Sequence, residues 1–138
     1  MAITQALCSS FKLELLAGTH VAADVYKIAL FTSTATLSAA TTAYAATNEV
    51  SGTGYTAGGA TLAGYSATET GTVARLDFTS PTWPSSTITA RGALIYNSSK
   101  TNKAVAVLDF GADITSTSGT FTVTLPTVGD STSLIRIA

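Results

Sequence analysis

Residues 52–57 read GTGYTA, which matches the dinucleotide-binding pattern G-x-G-x-x-G/A, so nucleotide binding is the first chemistry to weigh. Such a site needs its glycines between a strand and a helix, because the helix N-terminus holds the pyrophosphate. Here Gly58 and Gly59 follow at once, and together they would cost a helix about 2 kcal/mol relative to alanine. No G-K-S/T element occurs either. We therefore expect these glycines to form turns or an assembly-facing loop, and we expect no cofactor.

Residues able to act as acids, bases or metal ligands are few and scattered. His20 is the only histidine, and a catalytic unit would have to form around it, although a lone histidine on a link between a helix and a strand is more often structural. Asp77 and Asp109 each lie inside an L-D-F triplet, and such a pair could serve a glycosidase if the carboxylates faced each other. An outward-facing strand position is the simpler interpretation of both. We expect no catalytic residues.

Metal binding is restricted by the same composition. With Cys8 as the single cysteine and one histidine, no site built on several thiolates or imidazoles can form. An oxygen-only calcium site stays open, but no D-x-D-x-D loop is present. We expect no metal site, and we interpret Cys8 as a small apolar helix residue.

Aromatic side chains are the remaining candidates for binding. Trp83 lies in the stretch SPTWPSS, and three tyrosines lie in stretches rich in glycine, alanine and threonine. These rings could stack on a sugar or anchor a contact between subunits, and the low charge of the chain favours the subunit contact. The candidate contact residues are Phe11, Tyr44, Tyr55, Tyr65 and Trp83.

One helix and several strands must position these residues. An apolar residue recurs every fourth position near the start of the chain, at Ile3, Leu7, Phe11 and Leu15. With Gly18 as a C-terminal stop, this stripe predicts an amphipathic helix over residues 4–17. From about residue 25 onward, segments rich in β-branched and aromatic residues predict strands, at 25–32, 72–79, 86–97, 103–111, 119–125 and 133–137.

The arrangement of these strands predicts the fold. Residues 93–96 and 104–108 are apolar at every position and are joined by the polar turn NSSKTN, which is typical of a central hairpin covered on both faces. Apolar residues and threonines alternate over residues 119–125, which indicates a strand with one buried and one solvent-exposed face. Since no helical pattern follows Gly18, we predict a mainly β protein. It is a single domain over residues 1–138, an antiparallel two-sheet β-sandwich of Greek-key or jelly-roll type with one N-terminal helix.

Composition excludes several classes of partner. Charged residues make up 11% of the chain against about 25% in ordinary soluble domains, and the formal net charge is −1. The seven basic residues are scattered, so we expect no nucleic-acid partner. Apolar runs are far shorter than the roughly 18 residues of a membrane helix, so we expect no membrane partner. The first residues lack a basic leader and an unbroken apolar core, which favours a chain made and kept in a cytoplasm.

Five stretches in order resemble a group of small virion structural proteins encoded by tailed bacteriophages. They are MAITQALCSSFKLELLAG, YKIALFTSTATL, EVSGTGYTAGGATL, ITARGALIYN and KAVAVLDFG. The resemblance implies a particle component that is made in the cytoplasm of a bacterial host and located in the virion. It supplies no catalytic residues.

The residues and the resemblance together lead to ranked hypotheses. The first is a non-enzymatic capsid decoration or cement protein that binds across major capsid protein subunits and stabilises the shell. The second is a subunit of the neck, collar or tail, associated with the sheath or a fibre, and the third is a carbohydrate-binding adhesion module. An enzyme ranks last. Because exposed strands such as 119–125 tend to pair with other strands, we also expect self-association as a dimer or trimer.

Overall fold

A computed structural model describes residues 2–126 and 133–137, so residue 1, residues 127–132 and residue 138 of the predicted single domain lie outside the described part. The elements in chain order are β1 (Ala6–Leu7), α1 (Ser9–Leu16), β2 (Tyr26–Phe31), β3 (Ala60–Thr61), β4 (Ser66–Thr70), β5 (Val73–Asp77), β6 (Thr82–Asn97), a 3₁₀ turn (Ser98–Lys100), β7 (Lys103–Thr122) and β8 (Ile135–Ile137). A five-stranded sheet has the order β1-β7-β6-β2-β3, and a three-stranded sheet has the order β4-β5-β8. All pairs of these strands are antiparallel. The prediction of a mainly β, two-sheet, sandwich-like fold with one N-terminal helix is confirmed.

The central hairpin is formed by β6 and β7, as the two apolar runs predict. Leu94 pairs with Val107 and Ile95 with Ala106, and all four side chains are buried. Strand β2 lies on the other side of β6, so β6 is covered on both edges over this stretch. The apolar character of every position follows from burial on both faces of the sheet.

Strand β7 corrects the prediction of separate strands at 103–111 and 119–125, because it runs unbroken through both. Its pairing with β6 jumps from Gly92–Asp109 to Ala90–Ile114, so four residues of β7 stand opposite one residue of β6. This irregularity bends the ribbon. Two further register shifts follow in the same ribbon, between Ser86 and Ile88 and between Trp83 and Ser86. The ring centroids of Phe110 and Phe121 are 6.4 Å apart, whereas a straight strand would separate these positions by roughly 36 Å.

The alternation predicted for residues 119–125 is present. Phe121, Val123 and Leu125 are buried, whereas the threonines between them are exposed. The amide of Val123 donates to the carbonyl of Pro81, 3.1 Å away, so pairing with the start of β6 continues just beyond β7.

The helix is shorter than the predicted residues 4–17. Strand β1 pairs with β7, and Cys8 is extended, so the helix begins only at Ser9. The four-residue spacing of Ile3 and Leu7 resembles a helical stripe, but Leu7 pairs with β7 and Ile3 forms a parallel bridge to Leu37, so both are extended. The predicted end is correct, since Gly18 takes φ +76° immediately after the last helical turn.

The three-stranded sheet lies beside α1 and contains the largest omission of the sequence analysis. The predicted strands 72–79 and 133–137 are present as β5 and β8, but the strand β4, which reads SATET, was not predicted. All five of its residues are exposed, so it carries no apolar pattern that could identify it. The two-residue strands β1 and β3 were also not predicted.

Candidate functional site

The GTGYTA segment is a loop that folds back onto the edge of β2. Gly54, Gly58 and Gly59 all have positive φ, and the chain then pairs with β2 as strand β3, with no helix following. A Cβ added at Gly59 would collide with the carbonyl oxygen of Ile28. The glycines therefore serve the turn and the close approach of two backbones, which matches the turn interpretation of this motif.

The Glu49 carboxylate organises this loop. Tyr55 donates a hydrogen bond to Oε1 and Tyr44 donates one to Oε2, each at 2.6 Å, and the amide of Gly58 donates to Oε1 at 2.7 Å. Burial, and next the hydrogen bond to Glu49, raises the pKa of both phenols, so they remain donors at neutral pH. Two tyrosines and a glycine amide thus hold one carboxylate in place.

Further contacts attach this cluster to the central sheet. The Tyr55 hydroxyl also accepts the amide hydrogen of Leu30 in β2, at 2.8 Å. Tyr96 of β6 donates to the carbonyl of Gly58 at 2.6 Å, and its ring stacks on Tyr44 with centroids 4.6 Å apart. These polar groups are engaged with one another, so the cluster stabilises the loop.

His20 belongs to a second polar network, which connects α1 to the turn between β6 and β7. Its Nε2 lies 3.0 Å from Oε1 of Glu14, and its Nδ1 lies 3.0 Å from the side-chain nitrogen of Asn97. Asn97 also donates to Asp24 at 2.8 Å, while its Oδ1 accepts from the amide of Ser99 at 3.0 Å. The consistent assignment is a neutral imidazole that donates from Nε2 and accepts at Nδ1.

Lysines complete this network on its outer side. Lys103 lies 3.2 Å from Glu14, and Lys100 lies 3.2 Å from Asp24. Desolvation alone would raise the pKa of both carboxyls, but the hydrogen bonds outweigh it and hold both values below the ordinary range. For Glu14 the main opposing bonds come from His20 and Lys103, and for Asp24 the main one comes from Asn97.

The groups that could have formed a catalytic site are separated or enclosed. The His20 side chain is 1% exposed and both ring nitrogens are engaged. Asp77 is buried in β5 and accepts from the amide of Leu134, whereas Asp109 lies in the other sheet and pairs with Arg91. Burial, and next the charge of Glu14, raises the pKa of the Cys8 thiol to about 11. The structure therefore does not bring the two aspartates together. It buries Cys8, but the prediction that Cys8 is a helix residue is wrong, because Cys8 is extended and directly precedes α1.

The five aromatic candidates divide between three places. Trp83 is 5% exposed and packs between Tyr55 and Phe121 at centroid distances of 6.0 and 6.1 Å. Tyr44 and Tyr55 belong to the Glu49 cluster. Phe11 and Tyr65 line an apolar groove between α1 and the three-stranded sheet. The candidates thus do not form one exposed platform, and their role as partner contacts stays a prediction.

Two of the grooves on the described part of the chain are lined mainly by apolar side chains, and these two share no lining residue. The first has a volume of about 140 Å³ and is lined mainly by side chains of α1, β5 and β8, including Phe11, Leu15, Tyr65, Leu76, Ile135 and Ile137. The second has a volume of about 270 Å³ and is formed where β7 bends, by Phe110, Ile114, Phe121, Val123 and two threonines. Ile137 at the first groove and Ile114 at the second are about half exposed.

Several residues that are central to these clusters carry no signature in the sequence. Glu49, Tyr96 and Asn97 each make key contacts, yet none lies in a recognisable motif. The one available signal was the buried strand ending at the polar Asn97, where a turn-forming side chain was expected. Leu13 and Leu16 are exposed on α1 and lie outside the predicted apolar stripe.

Across residues 2–126 and 133–137, His, Cys, Asp and Glu side chains form no group of three that could hold a metal ion. In the same ranges, no helix has the length and apolarity needed to span a membrane. No family model matches the chain, and neither the curated proteins nor the solved structures give a match.

Proposed function

We propose that this chain is a non-enzymatic structural protein of a tailed-bacteriophage virion, and specifically a capsid decoration or cement protein that binds across major capsid protein subunits. Support comes first from the five sequence stretches that resemble such virion proteins. The sandwich-like β fold is compatible with this role, since a small, rigid domain can repeat in many copies on a symmetric particle.

The observation that carries the proposal is the separation of apolar surface into two distinct grooves on a chain of low charge. Large apolar side chains are exposed at several sites, namely Leu13, Leu16, Val21, Val25, Ile114 and Ile137. Burying such side chains stabilises a contact by about 1.5–3 kcal/mol for each one that is fully covered. A lattice component needs more than one such surface, because each copy contacts neighbours on different sides.

The polar groups also favour a structural role. His20, Asp77 and Cys8 are buried, and the two charged clusters direct their hydrogen bonds at the protein itself. We therefore assign these groups to stabilising the domain. The carbohydrate-binding alternative is weaker, because the buried Trp83 offers little ring surface for a sugar. A neck or tail position remains the alternative within the virion.

Quantitative mass spectrometry of purified particles tests the proposal. A decoration protein is expected at a copy number comparable to that of the major capsid protein. A copy number that is a small fraction of that value would indicate the neck or tail, and absence of the chain from purified particles would overturn the virion assignment.

A variant at the second groove tests the capsid contact. Ile114→Glu places a charge where β7 bends and is expected to reduce binding to particles that lack the protein. Thr117→Glu, an exposed substitution on the same strand, is the matched control. Equal binding by the two variants would exclude the second groove as the capsid contact.

A further inference from the structure

His20 lies where α1 meets the turn between β6 and β7, and its two ring nitrogens face different elements. Nε2 lies 3.0 Å from the Glu14 carboxylate on α1, and Nδ1 lies 3.0 Å from the side-chain nitrogen of Asn97 at the end of β6. The ring also packs against Phe11 of α1, with centroids 4.9 Å apart. Because the side chain is buried, these neighbours rather than solvent decide which nitrogen carries a proton.

The orientation of the Asn97 amide is fixed from both ends. Its oxygen accepts from the backbone amide of Ser99 at 3.0 Å, and its nitrogen donates to the Asp24 carboxylate at 2.8 Å. A rotated amide would place its oxygen against that carboxylate and its nitrogen against the Ser99 amide. The group that Asn97 presents to His20 is therefore an N–H donor. Nδ1 can meet this donor only as an acceptor, which is an unprotonated nitrogen.

A proton on Nδ1 would break one contact of His20 and keep the other. The imidazolium carries an N–H on both nitrogens. Its Nε2–H and its charge favour the Glu14 carboxylate, whereas its Nδ1–H and the Asn97 N–H oppose each other as two donors. The charged ring thus stays with α1 and loses its contact with β6.

We propose that the contact between His20 and Asn97 is a proton-operated latch between α1 and the turn of the central hairpin, closed when the imidazole is neutral and open when it is protonated. Histidine side chains change charge within the range of about pH 5–8. Opening separates the C-terminal end of α1 from the hairpin and gives solvent access to the buried Phe11. The latch belongs to the isolated domain and does not depend on a role in the virion.

Other titratable groups surround the latch, and they are Glu14 and Cys8 at α1, Asp24 on the link to β2, Tyr26 in β2, Lys100 in the 3₁₀ turn and Lys103 in β7. Each carboxylate has a lysine 3.2 Å away, and although burial opposes it, hydrogen bonds hold the pKa of both carboxyls below the ordinary range. Burial raises the pKa of the thiol and of the phenol, so both are neutral. Of these side-chain types, only imidazole ordinarily changes charge between about pH 5 and 8.

Nitrogen-15 NMR of the isolated protein tests the latch directly, because His20 is the only histidine in the chain. At about pH 7.5 we expect a neutral ring with its proton on Nε2. As the pH falls to about 5.5, the side-chain amide of Asn97 and the backbone amide of Ser99 should shift with the same midpoint as the ring. A ring protonated on Nδ1 at the higher pH, a ring that titrates without moving Asn97 and Ser99, or a ring that stays neutral throughout would overturn the proposal.

Hydrogen exchange measures the opening itself. Helix α1 has eight residues and is too short to stay helical without its packing partners. The amides of Ala17 and Thr19, which bond to carbonyls of α1, should therefore lose about tenfold in protection factor between about pH 7.5 and about pH 5.5. Protection of Leu94 and Val107 in the central hairpin should not change. An equal fall at both places would indicate general destabilisation and would contradict the latch.

Two variants separate the latch from other effects of acid. His20→Asn keeps a side-chain oxygen that can accept from Asn97 but has no titrating ring, so its protection factors should be equal at the two pH values. Lys100→Gln is the matched control, because it removes the ion pair with Asp24 but no hydrogen-bond partner of His20, and the response to pH should remain. A response in His20→Asn, or its loss in Lys100→Gln, would overturn the proposal. The NMR titration uses the natural sequence and therefore decides the matter even if His20→Asn fails to fold.

Discussion

The Tyr55 hydroxyl joins the Glu49 carboxylate to the backbone of β2, and its removal should be costly. Tyr55→Phe deletes a 2.6 Å hydrogen bond to the carboxylate, worth about 1.5–3 kcal/mol for a charged partner. It also leaves the amide of the fully buried Leu30 without its 2.8 Å acceptor, which adds about 1–3 kcal/mol. We expect a total loss of about 2.5–6 kcal/mol in the free energy of unfolding.

Tyr44→Phe is the matched control, because its hydroxyl donates to the other oxygen of the same carboxylate and supports no strand amide in β2. It should cost only about 1.5–3 kcal/mol. Urea unfolding followed by the fluorescence of Trp83, the only tryptophan, measures both. At about 2–4 °C per kcal/mol, the two variants should also differ in Tm. Equal losses in the two variants would refute the reasoning that Tyr55 supports the backbone of β2.

Three further predictions concern backbone, pH and thiol chemistry. Gly59→Ala should destabilise the domain far more than Gly71→Ala in urea unfolding. Both glycines have positive φ, but only at Gly59 would the added Cβ collide with a backbone carbonyl, that of Ile28. Similar losses in the two variants would contradict this reasoning. Folding lowers the pKa values of Glu14 and Asp24, so their contribution to stability is fully present above the ordinary carboxyl pKa and is lost as the pH falls from there through the lowered folded-state values. Urea midpoints at about pH 6 and about pH 3 should show this loss, and Glu14→Gln should reduce it. An unchanged pH dependence in that variant would count against the network. Cys8, buried and with its pKa raised to about 11, should react with a thiol reagent at neutral pH only after unfolding, and rapid reaction in the native state would show that the thiol is accessible.

Elements with a local signature could be predicted from the sequence. The hairpin of β6 and β7 is readable because its strands are buried on both faces over residues 93–96 and 104–107, so every position there is apolar. The end of the helix can be predicted because Gly18 supplies the positive φ that a helix C-terminus requires.

Elements defined by distant pairing could not be predicted. Ile3 and Leu7 fit a helical stripe, but Leu7 pairs with Ala106 about a hundred positions away, and that pairing overrides the local pattern. Strand β4 is exposed at every position, so only its partner β5 makes it a strand. The bend of β7 likewise depends on its register against β6.

The polar clusters could not be predicted either, because their residues are distant from one another in the sequence. His20 and Asn97 are 77 positions apart, and their contact depends on how α1 and the central hairpin pack. Glu49 has no neighbouring pattern that marks it as the acceptor for two tyrosines. What the sequence did supply was the exclusion of multi-histidine and multi-thiolate metal sites, which requires only a count of residues.

A reconstruction of the intact phage particle at a resolution that places individual chains tests the central proposal most directly. The proposal predicts density for this fold on the outside of the capsid lattice, at local two-fold or three-fold positions and in contact with more than one major capsid subunit. Density confined to the neck or tail, or a particle without this chain, would contradict the capsid decoration role.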